Sequence, residues 1–412
     1  MNTLKMFDRK KSYFNILWIS SIINDLGGKT SILTMPLIAI SFFHTDVTKT
    51  AFVTTMQFLP HLFFSFFFAN LVSKTSKKQI LLGITNILSA LLTMILIILI
   101  IFNLIYLWQF YLFLFLINSL SVLSGITHSA LIVCVVEHDK LIDANSKLAI
   151  SDSLLKLSAP SIGGVIIKYL GYLFALIFDT LTFLIAGVMQ FFIKTEDNVI
   201  NKFENKKNSL KRTFSLIYHH KLLFNLYLVF LLITFSLGLF QTIQIFHLTT
   251  ALDFTESEIG LIISVGSLGM VLMSFLSKKY IEKIGLFKSI LSFVISITLA
   301  FILYFSAQFI NNSIIIFIKI LLAQFLIFLF NPVFSVASST IRQQNVKKEY
   351  YPSVLAIWTY LTRGILPISS ILAGFIYENA DISGVMIVCF SMVLICLVIL
   401  YINKKEFKKT KF

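Results

Sequence analysis

Between Gln79 and Phe102 the chain reads QILLGITNILSALLTMILIILIIF, a stretch without a single charged residue. A helix needs roughly 20 predominantly apolar residues to cross the hydrocarbon core of a bilayer, so this stretch is read as a membrane span. A transmembrane β-strand would alternate in polarity over about ten residues, whereas this run is continuous and much longer. Eleven further runs of comparable length lie near 13–42, 50–73, 106–134, 143–168, 172–193, 222–248, 257–277, 285–305, 312–340, 349–376 and 383–402. The polar breaks between them, such as His44-Thr45-Asp46, Asn311-Asn312 and Asn379-Ala380-Asp381, are too short to hold folded loop domains. The expected fold class is therefore an all-α integral membrane protein with twelve transmembrane helices.

Composition agrees. Of 412 residues, 57% are hydrophobic and only 13% charged, against the roughly one quarter that a soluble domain uses to cover itself. There are 43 Phe but only 34 Lys plus Arg, which argues against a cytoplasmic enzyme or a secreted module. A net charge of +15 can mark a nucleic-acid binder, but such proteins carry their basic residues on soluble surfaces or tails. Here the charges sit between apolar runs, so a lipid bilayer is the expected partner and nucleic acid is not. Cys134, Cys389 and Cys396 show neither metal-ligand nor disulfide spacing and are read as structural.

Lys and Arg concentrate in cytoplasmic loops, which fixes the expected orientation. With both termini inside, all basic residues fall in cytoplasmic segments except Lys49 and Lys168 in outer loops and Lys29, Lys156, Lys319 and Arg363 within spans. The outer loops instead carry Asp46, Asp253, Glu256, Glu258, Glu378 and Asp381. The charged start (Lys5, Arg9, Lys10, Lys11) leads into a run too long for a cleavable leader, so the first span is expected to remain.

The longest polar break, 194–221, divides the spans six and six. The expected organisation is an N-terminal six-helix bundle over 1–193, a cytoplasmic linker over 194–221 and a C-terminal six-helix bundle over 222–412. Two like pairs recur at one offset: Pro160 precedes Pro367 by 207 positions, and Lys156 precedes Arg363 by the same distance.

Ionisable side chains inside a bilayer cost several kcal/mol unless they are paired or face water, so they are the first functional candidates. Asp25 and Lys29 lie four apart on the first span, and Asp152 and Lys156 four apart on the fifth, each pair on one helix face. Opposite charges of this kind either line a polar cavity and move protons, or form static pairs that merely lower insertion cost. Arg363 keeps its charge and either grips an anion or fixes a carboxylate. Lys319, near the outer boundary, is expected to snorkel to water. Asp179 is expected to make an inter-helix hydrogen bond. Asn24, Gln57, His61, Gln241, Gln244, His247 and Gln324 add polar groups that either line a substrate cavity with Arg363 or act as inter-helix hydrogen bonds of about 1 kcal/mol each.

The sequence from Leu141-Ile142-Asp143-Ala144-Asn145-Ser146 through Asp152-Ser153, with Ala159-Pro160-Ser161-Ile162-Gly163-Gly164 and Phe178-Asp179-Thr180-Leu181-Thr182-Phe183-Leu184, resembles the drug-efflux branch of the major facilitator superfamily. Within it the macrolide-efflux and siderophore-exporter group is most similar. That resemblance implies two six-helix repeats with substrate held between them. Pro160, Gly163 and Gly164 resemble the antiporter signature Gly-Pro-x-x-Gly-Gly, with Ala159 in place of the first glycine. Pro160 and Pro367 bend their helices, and the glycines let another helix approach. In the family a Gly-x-Leu-x-Asp-Arg-x-x-Arg-Lys loop forms a cytoplasmic gate. This chain has Ser73 in place of the acid, followed by Lys74, Lys77 and Lys78, and a better-kept copy at Glu282-Lys283-Ile284-Gly285.

The leading expectation is a secondary transporter in a bacterial plasma membrane that exports a small amphipathic molecule, a drug, macrolide-like compound, siderophore or peptide. Protons are the expected coupling ion, with Asp25 as first choice of carrier. The chain has no Gly-x-x-x-x-Gly-Lys-Ser/Thr loop that would bind ATP, no cofactor is expected, and a monomer is. Nutrient uptake and a non-transporting sensor or immunity protein are the alternatives. An enzyme is disfavoured, because the one conspicuous histidine pair, His219-His220, has no acidic residue within a turn.

Overall fold

The computed structural model describes residues 2–136, 141–194, 215, 217–346, 351–404 and 406. Most of 194–221 and the side chain of Ser73 therefore lie outside the described residues. The described residues form helices and turns, with no strand among them. In chain order the helices are α1 (Asn2–Ser41), α2 (Val47–Lys74), α3 (Lys78–Ile101), α4 (Leu107–Val135), α5 (Leu141–Leu170) and α6 (Tyr172–Phe191). There follow α7 (Lys221–Thr250), α8 (Glu256–Ala307), α9 (Ser313–Leu329), α10 (Asn331–Asn345) and α11 (Tyr351–Ile402).

Two of these are pairs of rods joined without a loop. Gly285 (φ 82°, ψ 164°) breaks α8, and Ala380 with Asp381 (φ 51°) breaks α11. Conversely, the run expected to be continuous over 312–340 is divided at Phe330 into α9 and α10. The cause is Pro332 in the first turn of α10, which has no N–H to continue the ladder and disfavours helical geometry before it. Counting the broken helices as two and α9 with α10 as one gives twelve rods among the described residues, in the expected order.

Helix spacing is set by small residues. A Cβ on Gly83 would lie 3.1 Å from the Gly187 carbonyl, and one on Gly187 would lie 3.1 Å from the Gly83 carbonyl, so α3 and α6 touch backbone to backbone. Gly171 (φ 86°, ψ 166°) turns the chain from α5 into α6 in a region open only to glycine, the conformation that Gly285 repeats.

The chain divides into two compact units. Unit 1 comprises 1–46, 52–202 and 253–260, and unit 2 comprises 47–51, 203–252 and 261–412. In unit 1, α1 packs between α5 and α6, and α3 between α4 and α6. One core cluster gathers Met35, Ile38, Val53, Leu96, Ile100, Phe110, Leu114 and Leu176, and another Phe14, Leu17, Leu82, Leu131, Val135 and Ile193. In unit 2, α7 lies along α11, and an aromatic ladder of Phe293, Phe334, Phe230 and Trp358 stacks at 4.8, 5.3 and 4.1 Å, with the Arg342 guanidinium 3.9 Å over the last ring.

Candidate substrate and coupling site

The ionisable residues of α1 and α5 are joined. Lys29 Nζ lies 3.8 Å from Asp25 Oδ2 on its own helix, but 2.9 Å from Asp152 Oδ1 on α5. Asp152 Oδ2 takes Lys156 Nζ at 2.7 Å. What reads in sequence as two intrahelical pairs is one four-residue network of alternating charge, centred on the Lys29–Asp152 contact. Lys29 is the most enclosed member, its side chain 16% exposed, whereas Asp25 and Asp152 are 45% and 39% exposed.

The crossing of α1 and α5 makes this possible. A Cβ on Gly163 would stand 2.8 Å from Thr30 Cγ2, and Thr30 Oγ1 lies 3.5 Å from the Ala159 carbonyl. Further along, Trp18 Nε1 donates to Ser151 Oγ at 2.9 Å and the Lys147 ammonium lies 5.8 Å over the indole. On the opposite side α1 meets α6: Gly27 has no room for a Cβ beside Asp179 and Thr182, and the Ser31 hydroxyl donates to Asp179 Oδ2. Asp179 thus makes the inter-helix hydrogen bond expected of it. Gly164 packs on the backbone of Glu256 and Ser257, a stretch that belongs to unit 1.

Asp25 and Lys29 open onto a cavity of about 250 Å³ bounded by α1, α3, α4 and α6. Its wall is polar for a membrane interior. From α1 come Ser21, Asn24, Asp25, Gly28 and Lys29, and from α4 Ser121, Ser124, Gly125 and His128. At its rim Asn86 Nδ2 donates to Gln190 Oε1 at 2.9 Å and Ser124 Oγ donates to Asn86 Oδ1 at 3.2 Å. Two polar atoms are buried without a hydrogen-bond partner, Asn24 Oδ1 and His128 Nε2.

Of the residues expected in a substrate cavity, Asn24 alone lines this one. Gln57 and His61 on α2 are half-buried elsewhere in unit 1, His61 with its ring 6.5 Å from that of Phe58. In unit 2, Gln244 Nε2 donates to Gln324 Oε1 at 2.9 Å with both side chains buried, an inter-helix hydrogen bond. Gln241 and Arg363 are exposed. His247 shares a 2.9 Å hydrogen bond with the Tyr377 hydroxyl. Lys319 does more than snorkel, since its ammonium donates to Ser306 Oγ at 3.1 Å.

The remaining motif residues have local roles. Pro160 and Pro367 are buried inside α5 and α11. Lys74 and Lys77 are exposed, and Lys78 turns back to donate to the Thr75 carbonyl at 2.8 Å. Glu282 lies 4.0 Å from Lys278, with Lys283 exposed beside it. His220 caps α7, its ring nitrogen accepting from Leu223 N at 3.4 Å, and His219 bonds the Ser215 carbonyl at 2.7 Å.

Sequence reasoning missed His128, Asn86, Ser124 and Gln190. The signal was present on α4, where Ser121, Ser124, Gly125 and His128 fall at i, i+3, i+4 and i+7, one small and polar face.

No curated protein matches the chain. Among solved structures, a bacterial homologue of the human lysosomal transporter Spinster aligns at TM-score 0.72 with 13% identity, covering 98% of each chain. The nucleoside transporter NupG aligns at 0.72 with 13% identity over 96% of this chain and 99% of its own. A bacterial homologue of the iron transporter ferroportin aligns at 0.73 with 16% identity over 95% and 98%. At such identities these likenesses concern the fold, that of multi-pass membrane transporters. The sequence model of the Major Facilitator Superfamily matches residues 17–365, and again 226–412. The chain thus belongs to the Major Facilitator Superfamily.

Proposed function

We propose that this protein is a proton-coupled secondary transporter of the efflux type, which exports a small amphipathic molecule across a bacterial plasma membrane by alternating access. Both termini would lie in the cytoplasm. The observation that carries the reading is the division of Lys29 between two carboxylates, 3.8 Å from Asp25 and 2.9 Å from Asp152. A proton on Asp25 cancels its attraction for Lys29, which then rests wholly on Asp152. Loss of that proton restores a charge facing the cavity and draws the ammonium back. Lys156 holds Asp152 throughout, so the two carboxylates and two ammonium groups balance while Asp25 is ionised and carry one extra positive charge while it is protonated, a change of one proton per exchange.

The macrolide-like, siderophore or peptide character of the cargo rests on the resemblance of 141–184, and export over uptake on the antiporter-like Pro160, Gly163 and Gly164. The test is efflux of a labelled compound panel from cells expressing the protein, with and without an uncoupler, alongside Asp25→Asn. Efflux that collapses with the uncoupler and in Asp25→Asn supports the reading. Efflux indifferent to Asp25→Asn removes this carboxylate from coupling, and efflux that survives the uncoupler but stops on ATP depletion removes proton drive.

A further inference from the structure

We propose that a groove in unit 2 is a binding site for an anionic phospholipid, which lays one acyl chain between α8 and α11 and sets its headgroup phosphate on Lys404. The proposal needs only that the chain spans a bilayer, and is independent of what the protein transports.

The groove holds about 380 Å³ between the second rod of α8 and the last turns of α11. Phe287 and Leu291, one turn apart, form one wall. Leu394, Leu397, Val398 and Tyr401 form the other, at i, i+3, i+4 and i+7 on one helix face. Short of Tyr401 no side chain in either wall carries a nitrogen or oxygen. The shaft therefore suits a hydrocarbon chain, whereas a polar solute would be stripped of water there with nothing to bond.

The mouth is what distinguishes this groove from any other gap on a lipid-facing surface. Lys404, three residues past Tyr401 and just beyond the end of α11, lines it, and both side chains are exposed. Lys288, next to Phe287 at the start of its rod, is exposed as well. A tyrosine at the end of a span sits at headgroup level, and a lysine beyond it lays its stem along apolar surface while its ammonium reaches the phosphates.

Charge selects among lipids. Lys404 makes no ion pair among the described residues. The sequence over 404–412 carries Lys404, Lys405, Lys408, Lys409 and Lys411 against the single acid Glu406. Basic residues clustered just past a span attract anionic lipid. A phosphatidylglycerol headgroup brings these lysines a phosphate and no cation, whereas phosphatidylethanolamine brings an ammonium toward them. The second acyl chain stays in the bilayer.

The test titrates the full-length protein in detergent with dioleoylphosphatidylglycerol or dioleoylphosphatidylethanolamine and counts bound lipid by native mass spectrometry. The expected result is at least fivefold more phosphatidylglycerol retained. Lys404→Gln should abolish that preference. Leu394→Trp, which fills the groove from a side chain that is 62% exposed, should cut retention at least fivefold, with circular dichroism showing the fold intact. Val398→Phe is the second groove-filling variant should Leu394→Trp not fold. Lys168→Gln, at an exposed lysine of unit 1, should change neither lipid. Dihexanoylphosphatidylglycerol, with the same headgroup on short chains, should bind at least tenfold more weakly. Equal retention of the two dioleoyl lipids overturns the proposal, as does a preference that survives Lys404→Gln or retention that survives the groove-filling variants. Equal binding of the short-chained lipid would show that the headgroup alone is held and would overturn it too. A protein dimer that retains no lipid and that Leu394→Trp dissociates would give the groove to a second copy of the chain instead.

Discussion

Lys29 of α1 stands closer to Asp152 of α5, at 2.9 Å, than to Asp25 one turn away on its own helix, at 3.8 Å. A lysine placed four residues after an aspartate would by local rules pair with it. Tertiary packing overrides that preference because Gly163 lets α5 approach α1 at Thr30, one residue from Lys29.

Lys29→Gln should therefore destabilise the protein mainly through Asp152, leaving it to Lys156 alone. Breaking a fully buried pair costs about 3–5 kcal/mol, but these side chains are partly exposed, 16% and 39%, which lowers the expected coupling to about 1 kcal/mol. A double-mutant cycle with Asp152→Asn, read by unfolding in mixed micelles, should give that coupling. The same cycle with Asp25→Asn should give less. Additive effects at Lys29 and Asp152 would contradict the geometry.

The crossing itself predicts a second result. A Cβ at Gly163 meets Thr30 Cγ2 at 2.8 Å, and in unit 2 a Cβ at Gly238 meets Ser369 Oγ at 2.2 Å. Thr30 and Gly238 are 208 positions apart and Gly163 and Ser369 are 206, so the two crossings correspond, with the glycine on α5 in one and on α7 in the other. Gly163→Val should cost about 1–3 kcal/mol by overpacking and should be partly rescued by Thr30→Ala. Thr30→Ala should do nothing for Gly238→Val. Rescue across the two units would mean that the two crossings are not independent packing sites.

Much of this architecture is written in hydropathy alone, since a bilayer demands about twenty apolar residues per crossing and the turns here are too short to obscure the count. The break at Phe330 was less visible because the sequence around it stays apolar and only Pro332 betrays it. The candidate site was half legible. Asp25, Lys29, Asp152 and Lys156 stand out because charge in a span is costly, but their joining across helices depends on how α1 and α5 cross, which periodicity does not encode. Asn86, Ser124, His128 and Gln190 are individually ordinary in a membrane helix, and their meaning comes from facing one cavity. Gln244 and Gln324 illustrate the converse, two conspicuous amides that satisfy one another.

Gly285 yields a third prediction. Its φ of 82° with ψ of 164° lies where only glycine is at ease, and a Cβ there would meet nothing within 4 Å. The penalty for Gly285→Ala is therefore conformational, about 1–3 kcal/mol, and Gly285→Asn should fare no better, because asparagine tolerates the left-handed helical region and not this one. Gly171, with φ 86° and ψ 166° and equally open space, should behave alike. Equal stability of wild type and Gly285→Ala by thermal unfolding would show that the turn adopts another geometry.

The amides of the two units should part company when each is replaced. Gln244 donates to Gln324 at 2.9 Å with both buried, so Gln244→Leu strands one polar group and the double change Gln244→Leu with Gln324→Leu strands none. Hydrogen bonds between membrane helices are worth about 0.6 kcal/mol on average, so the single change should cost stability on that scale and the double change should recover it. Asn24 has no such partner for Oδ1, and Asn24→Leu should therefore leave stability unchanged or raise it. Unfolding midpoints on the same preparations check both halves. If Asn24→Leu destabilises the protein, the Asn24 side chain belongs to the packing.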